Sequence, residues 1–112
     1  MKKDDAFYIQ SIADCINQIE IYTDNGEQEF LKSRLIQDAV IRNFEIIGEA
    51  AKRLSEPFRS QNENVPWRQV AGFRDILIHE YFGVSLKLVW QTVLTDLPIL
   101  KSAMASVQKT KP

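Results

Sequence analysis

Residues 66–82 carry the side chains best suited to chemistry, and the stretch reads as a single helix. Pro66 suits a first helical turn, where its missing N–H is no loss, and Gly83 suits a helix exit. The remainder is apolar over most of its circumference, which predicts a buried helix. At about 100° per residue, four positions share an arc of roughly 60° and form a polar stripe: Arg68, Gly72, Asp75 and His79.

Arg74 lies outside the polar stripe, but its long side chain can reach a ligand bound beside it. Arginine offers planar, bidentate donors to a phosphate, and histidine accepts or donates a proton near neutral pH. Arg74 and His79, the only histidine, therefore favour a site that handles a phosphate. The alternative is structural: Arg74 pairs with Asp75 or another helix, and His79 caps carbonyl groups near the helix end.

Length and composition predict one ordinary globular domain over residues 1–112. Hydrophobic residues make up 45% of the chain and charged residues 26%, which are typical values. Cys15 is the only cysteine and falls on the apolar side of its helix, so it reads as a small core residue rather than a nucleophile. No Cys/His cluster of the kind that holds zinc is present, so we expect neither a metal nor a cofactor.

Charge is nearly balanced over the whole chain but uneven along it. A formal net charge of −1 and a pI of about 5.8 argue against a protein that coats nucleic acid electrostatically. Residues 1–29 carry a net charge of −5, whereas residues 52–74 carry +3 and lead into the motif. A local anionic ligand is compatible with the positive segment, and charge asymmetry on solvated faces explains it equally well.

The sequence also indicates where the protein works. Met1-Lys2-Lys3 is followed at once by two aspartates and not by an apolar core, so we read no secretory signal. No apolar run approaches the length needed to span a bilayer. These features predict a cytoplasmic protein without a membrane partner.

Helical periodicity dominates the sequence, and no segment reads as a convincing strand. Apolar residues at three- and four-residue steps predict a first helix over about 5–23 and a second over about 28–55. Pro57 should end the second helix, and the polar residues 56–65 should form a loop before residues 66–82.

A last helix should follow the corner at Gly83, with Ser85 as its N-cap. Pro98 should kink or split this helix, and residues 106–112 look like a frayed polar tail. Together the elements predict an all-α, up-and-down bundle of four to five helices.

Two residues of the second predicted helix bear on the site. A glycine inside a helix costs about 1 kcal/mol against alanine, so we expect a packing reason for Gly48. Glu49 lies on a charged side of that helix, where pairing within the helix is the plainer interpretation. The alternative is that Glu49 braces Arg74.

The helix over 66–82 resembles the R-x-x-x-x-H-x-Y motif of HepT-like toxins, which belong to the HEPN (higher eukaryotes and prokaryotes nucleotide-binding) superfamily. The matching stretch is Arg74-Asp75-Ile76-Leu77-Ile78-His79-Glu80-Tyr81. A block similar to the family's earlier helix is Ile46-Ile47-Gly48-Glu49-Ala50-Ala51-Lys52. The resemblance covers about residues 36–101 and implies a HEPN-type bundle with ribonuclease activity.

If the ligand is RNA, cleavage without a metal proceeds by attack of the 2′-hydroxyl on the adjacent phosphorus. One group takes the hydroxyl proton, another protonates the leaving 5′-oxygen, and a fixed cation stabilises the phosphorane. Arg74 fits the cationic role and His79 either proton-transfer role. One histidine per chain cannot readily fill both proton-transfer roles, although Tyr81, Glu80 or water could substitute. A symmetric homodimer would also supply the second group, and we expect one that brings two copies of Arg74 and His79 to one cleft. Asp75, one turn earlier, would orient His79.

The resemblance implies the same composite site, because HEPN ribonucleases are dimers. It further implies the toxin of a type VII-like toxin–antitoxin pair, neutralised when a partner nucleotidyltransferase of the MNT type attaches AMP to Tyr81. An AMP group there would add bulk and negative charge at the anion site and block RNA. Taken alone, Tyr81 would also suit a corner aromatic that packs at the Gly83 turn.

Two other classes of function stay open. A HEPN module that binds nucleotides without cleaving RNA would keep Arg74 and tolerate loss of His79. A dimeric adaptor that holds a partner enzyme through the acidic first helix would tolerate both losses. For a ribonuclease, transfer RNA and messenger RNA are both open as substrates.

Overall fold

The computed structural model describes residues 4–79 and 83–110, with the side chains of residues 79 and 108–110 outside that description. The described residues form six helices and no strand, which confirms the prediction of an all-α protein. The number exceeds the expected four to five because the second predicted helix is divided in two and a further short helix forms in the predicted loop over 56–65. The helices are α1 (Asp5–Tyr22), α2 (Glu27–Lys32), α3 (Arg34–Arg53), α4 (Glu56–Gln61), α5 (Trp67–His79) and α6 (Leu86–Thr110).

Helix α1 begins and packs as its sequence predicts. The side chain of Asp4 accepts a hydrogen bond from the backbone N–H of Phe7 at 3.2 Å and caps the helix. Its apolar stripe is buried, with Ile12 and Ile19 both fully shielded from solvent. Burial, and secondarily Asp14, raises the pKa of the Cys15 thiol to about 11, so this thiol stays protonated at neutral pH.

Asp5 ties the start of α1 to the far end of α3. One carboxylate oxygen accepts the backbone N–H of Ser55 at 2.9 Å, and the other accepts the Ser55 hydroxyl at 2.6 Å. The same hydroxyl oxygen accepts the N–H of Phe58 at 3.3 Å. This contact joins residues 50 positions apart in the chain.

The prediction of one helix over 28–55 was wrong, because the helix is interrupted at Ser33. This residue is extended, with φ −102° and ψ 110°, and its hydroxyl accepts a hydrogen bond from Ile36 N–H at 3.2 Å. A serine satisfies the orphan N–H groups of a new helix well. Ser33 therefore starts α3 instead of continuing α2.

The predicted loop over 56–65 instead begins with a helix, α4. Leu54 is extended, and Ser55 caps the new helix through Phe58 N–H. Pro57 lies in the first turn, where it needs no N–H partner. The proline thus belongs to the start of α4, and Leu54 ends α3.

Helix α6 runs unbroken through Pro98 to Thr110. Of the two predicted effects of Pro98, the split does not occur and the kink stays a prediction, and the frayed tail predicted from residue 106 was wrong as far as residue 110. Pro98 is exposed, and so is Leu94, whose carbonyl loses a partner because proline has no N–H. Water can therefore serve that carbonyl. Val107 packs against the core, which extends the helix beyond the predicted end. Ser85 caps α6 as predicted, accepting Leu88 N–H at 3.2 Å.

The helices assemble around α3, which contacts α1 on one side and α5 on another, while α6 packs on α1. Aromatic pairs connect these elements: the Phe44 and Phe73 rings lie 5.3 Å apart, and those of Phe30 and Trp90 lie 5.4 Å apart. Trp67 donates from its indole nitrogen to the carbonyl of Asn62 at 3.0 Å. Helix α5, which carries the motif, is therefore fixed against α3.

Candidate active site

A close approach of α5 to α3 positions Arg74. A Cβ added at Gly48 would lie 2.5 Å from the Cβ of Arg74 and 3.3 Å from the carbonyl oxygen of Val70. Only a residue without a side chain fits at this crossing. Gly48 therefore has the packing role that its position inside a helix predicts.

Two carboxylates hold the guanidinium of Arg74. Its Nε lies 3.1 Å from Oε2 of Glu49, and its Nη1 donates to Oδ1 of Asp75 at 3.3 Å. The Arg74 side chain is 29% exposed, so the cation is held at the surface and not buried. The structure thus brings together three of the predicted site residues.

Glu49 makes both contacts that its sequence position suggested, one within its own helix and one with Arg74. Its Oε1 pairs with Arg53 at 3.1 Å, one turn along α3, and its Oε2 faces Arg74 on α5. The carboxylate therefore fixes two guanidinium groups beside each other. The place of Arg53 in the site was not predicted, although its i, i+4 spacing from Glu49 was the available signal.

Lys52 is a member of this network that sequence analysis did not single out. Its Nζ lies 3.3 Å from the same Oδ1 of Asp75 that Arg74 contacts. Lys52, Arg53 and Arg74 together outnumber the two carboxylates by one positive charge. The cluster therefore has a net charge of +1 at neutral pH, which suits an anionic ligand.

His79 is the last described residue of α5, and its side chain lies outside the described part of the chain, as does the whole of Tyr81. The described contacts of Asp75 are with Arg74 and Lys52. The contact predicted between Asp75 and His79 therefore stays a prediction.

An open cleft lies beside Arg74, between α1, α3 and α5. Its volume is about 240 Å³. The residues that line it include two aromatic side chains from α1, the charged pair from α3 and two residues from α5: Phe7, Tyr8, Glu49, Arg53, Arg74 and Ile78. A ligand in this cleft would touch aromatic rings and guanidinium groups at once.

The pKa of Arg53 at this cleft is raised above its ordinary value. The main causes are the hydrogen bond and the charge of Glu49, and the hydroxyl of Tyr8 acts in the same direction. Arginine is already protonated throughout the physiological range. The cleft therefore keeps this positive charge at any working pH.

The opposite side of α5 is open in the protomer. A Cβ added at Gly72 would meet no described residue within 4 Å, and the Ile76 side chain on this side is 45% exposed. Among the described residues of α5, Leu77 is the one in the buried core. The prediction of a buried motif helix was thus wrong for the single chain, because part of its apolar surface faces solvent.

Among the described residues, no group of three or more His, Cys, Asp or Glu side chains is arranged to hold a metal ion. No helix among them combines the length and the apolar character that a membrane crossing requires.

The chain matches the family model described as "Ribonuclease HepT-like" over residues 12–107. It is 41% identical over 110 residues to a protein of Thermococcus cleftensis named "Probable ribonuclease HepT", covering 97% of this chain and all of that one. No solved structure matches.

A second relative is longer than this chain. The Methanocaldococcus jannaschii protein named "Gamma-glutamylcyclotransferase and putative RNase" is 46% identical over 110 residues, which cover 97% of this chain and 50% of that protein. The chain therefore spans half the length of this relative. A third, a Caldanaerobacter subterraneus protein named "Putative RNase", is 44% identical over 85 residues, or 75% of this chain and 76% of its own.

Proposed function

This chain belongs to the HepT-like ribonuclease family, and we propose that it is a metal-independent endoribonuclease with a composite active site at a homodimer interface. The observation that carries this proposal is the placement of Arg74. Its guanidinium is held by Glu49 and Asp75 at the edge of an open cleft, and it keeps partial exposure. A fixed, accessible guanidinium is what a developing phosphorane charge requires.

In the proposed reaction, the 2′-hydroxyl of the RNA attacks the adjacent phosphorus, and the P–O5′ bond breaks. His79 accepts the hydroxyl proton or donates one to the leaving 5′-oxygen. The products are a 2′,3′-cyclic phosphate and a 5′-hydroxyl. Arg74 binds the non-bridging oxygens, Glu49 positions Arg74, and Asp75 supports both Arg74 and the predicted orientation of His79.

The open side of α5 supports the proposed dimer. Gly72 leaves room for a close approach, and Ile76 offers apolar surface beside it. These residues share a side of the helix with the position of His79, two turns after Gly72. A two-fold axis beside this face would bring the two histidine positions together and supply the second proton-transfer group.

We further propose that the protein is the toxin of a type VII-like toxin–antitoxin pair and acts in the cytoplasm on transfer or messenger RNA. Its partner would be an MNT-type nucleotidyltransferase that attaches AMP to Tyr81, two residues after His79. The added phosphate and adenosine would compete with RNA for Arg74. We also propose that residues 1–112 form a single domain.

The decisive experiment incubates end-labelled RNA with the purified chain in excess EDTA, beside His79→Ala. We expect cleavage by the unsubstituted protein with 2′,3′-cyclic phosphate ends. His79→Ala should lower the rate by about 10²–10⁴-fold, which is the usual contribution of one general acid or base. Intact mass spectrometry of the same preparation shows whether AMP is attached.

Two outcomes would overturn the proposal. Equal cleavage by both proteins would remove His79 from the mechanism. An unmodified dimer that cleaves no RNA would favour the non-catalytic HEPN module, which binds nucleotides or acts as an adaptor. For the proposed regulation, Tyr81→Phe should resist AMP addition by the partner enzyme, and addition to this variant would place the modification elsewhere.

A further inference from the structure

The cleft beside Arg74 contains groups that the proposed chemistry does not use. Phe7 on α1 is 48% exposed although it is a large aromatic residue. The Tyr8 ring meets it edge-on, with centroids 5.2 Å apart and an interplanar angle of 90°. Phe7 is therefore held by a neighbouring ring while it lines the cleft.

A second guanidinium lines the same cleft. Arg53 is held by Glu49 at 3.1 Å, and its side chain is 57% exposed. An arginine offers five N–H donors, so a carboxylate on one edge leaves other donors for an anion. Because Glu49 contacts both Arg53 and Arg74, the two cations are spaced by one shared side chain.

From this arrangement we infer that the cleft is a subsite for one unpaired nucleotide of the RNA substrate, with its base stacked on Phe7 and its phosphate bound by Arg53. The inference rests on the proposed ribonuclease function for the identity of the ligand as RNA. Arg74 then binds the phosphate that is cleaved. The nucleotide in the subsite is its neighbour in the strand, so the cleft selects the form of RNA that is cut.

The size of the cleft favours a single nucleotide. Sites that enclose a whole small molecule measure roughly 300–1,000 Å³, whereas this cleft measures about 240 Å³ and is open. It therefore suits one unit of a longer strand that continues outside it. Ile78 on α5 completes the apolar part of the lining.

Stacking on Phe7 requires a base that has left its own stack. Bases in an RNA duplex are paired and stacked, and sequence-tolerant proteins bind unpaired bases on aromatic side chains. The subsite therefore predicts cleavage in single-stranded loops or ends of RNA rather than in duplex.

The test measures binding by fluorescence anisotropy with a short 2′-O-methyl RNA, which cannot be cleaved because its 2′-oxygen is blocked. The unsubstituted protein should bind the single strand about tenfold or more tighter than the same strand in a duplex. Phe7→Leu should raise the Kd for the single strand about tenfold, while Phe7→Tyr should keep it, because only the leucine lacks an aromatic face.

Matched controls separate the subsite from general effects. Tyr22→Leu replaces another exposed aromatic residue on α1 and should leave the Kd unchanged. Arg53→Gln should weaken binding and lower the salt dependence by about one phosphate contact. Arg34→Gln removes another arginine of α3 that is paired with a carboxylate one turn away, and it should change neither the Kd nor the salt dependence.

Each result bears on one proposal. Equal affinity for single strand and duplex, or a Phe7→Leu protein that binds as tightly as Phe7→Tyr, would overturn the subsite. Selective binding that depends on Phe7 would support it even if the unsubstituted protein cleaves no RNA, a result that would overturn the proposed catalysis alone. Melting curves for all variants confirm that each remains folded.

Discussion

The two sides of α5 meet opposite surroundings. On the α3 side, Gly48 lets the helices approach until an added Cβ would lie 2.5 Å from that of Arg74. On the other side, an added Cβ at Gly72 meets no described residue within 4 Å, and Ile76 faces solvent. The α3 side fixes the guanidinium of Arg74 within the protomer, and we propose that the opposite side packs against a second protomer. A helix that is apolar nearly all round can therefore be half covered in one chain.

The largest effect should come from the packed side. Arg74→Lys keeps the positive charge but loses the planar fork that Glu49 and Asp75 hold. We expect kcat for RNA cleavage to fall about 10²–10³-fold, the cost of losing one fixed donor to a developing oxyanion. Single-turnover kinetics would measure it, and unchanged kcat would mean that charge alone suffices at this position.

Replacing each of the two glycines in turn with alanine tests the difference between the two sides of α5 directly. Gly48→Ala should lower the free energy of unfolding by about 1–3 kcal/mol, because overpacking at the α3–α5 crossing exceeds the gain in helix propensity. Gly72→Ala should raise it by up to about 1 kcal/mol in the isolated protomer, since its Cβ enters open space.

Urea unfolding at low protein concentration measures both changes. Cleavage should fall with Gly48→Ala, because α5 must move away and take Arg74 with it. Equal stability for the two alanine variants would mean that the tight crossing relaxes without cost.

Introducing a charged side chain tests whether the open side of α5 forms the proposed dimer interface. Ile76→Asp should raise the dimer dissociation constant about tenfold or more, because a carboxylate would be buried at the proposed interface. The protomer should stay folded, since Ile76 is already 45% exposed. Leu94→Asp, at a 58% exposed position on α6, is the matched control.

Sedimentation across a concentration series distinguishes these two variants. Cleavage by Ile76→Asp should recover as its concentration rises and dimers re-form. A dimer unaffected by this substitution would place the interface on another surface.

A smaller effect on cleavage should follow from Glu49→Gln, which keeps the shape of the side chain that contacts Arg74 and removes its charge. We expect about a tenfold loss in kcat and a smaller rise in KM, because Glu49 fixes Arg74 and also contacts Arg53 in the proposed nucleotide subsite. The free energy of unfolding should change by less than about 1 kcal/mol, since exposed ion pairs contribute little. A larger change in KM than in kcat would mean that Glu49 acts mainly through Arg53 rather than through Arg74.

The sequence predicts the local features of this molecule well. The Ser85 cap and the apolar stripe of α1 follow from neighbouring residues, and the structure contains them. The pairing of Glu49 with Arg74 was one of two stated alternatives and is present beside the helix pair with Arg53. These features depend on spacing within a helix or on a motif of known order.

The features that were predicted wrongly or not predicted at all have a different physical origin. Pro57 ends one helix or starts another depending on the serine two residues before it, and the Ser55 cap is reinforced by Asp5 from a distant helix. Lys52 joins the site only because α5 crosses α3 above it. Contacts of this kind depend on tertiary packing, and no periodicity along the chain reports them.

The link between Asp5 and Ser55 also has a consequence for the order in which the protein is made. Translation delivers both ends of this link, together with Phe7, Glu49 and Arg53, before any residue of α5 leaves the ribosome. The α1 and α3 sides of the proposed nucleotide subsite can therefore meet while Arg74 and His79 are still inside the ribosome, and α5 completes the cleft only afterwards. A nascent chain still tethered to the ribosome would then not yet present the two residues that we propose cut RNA.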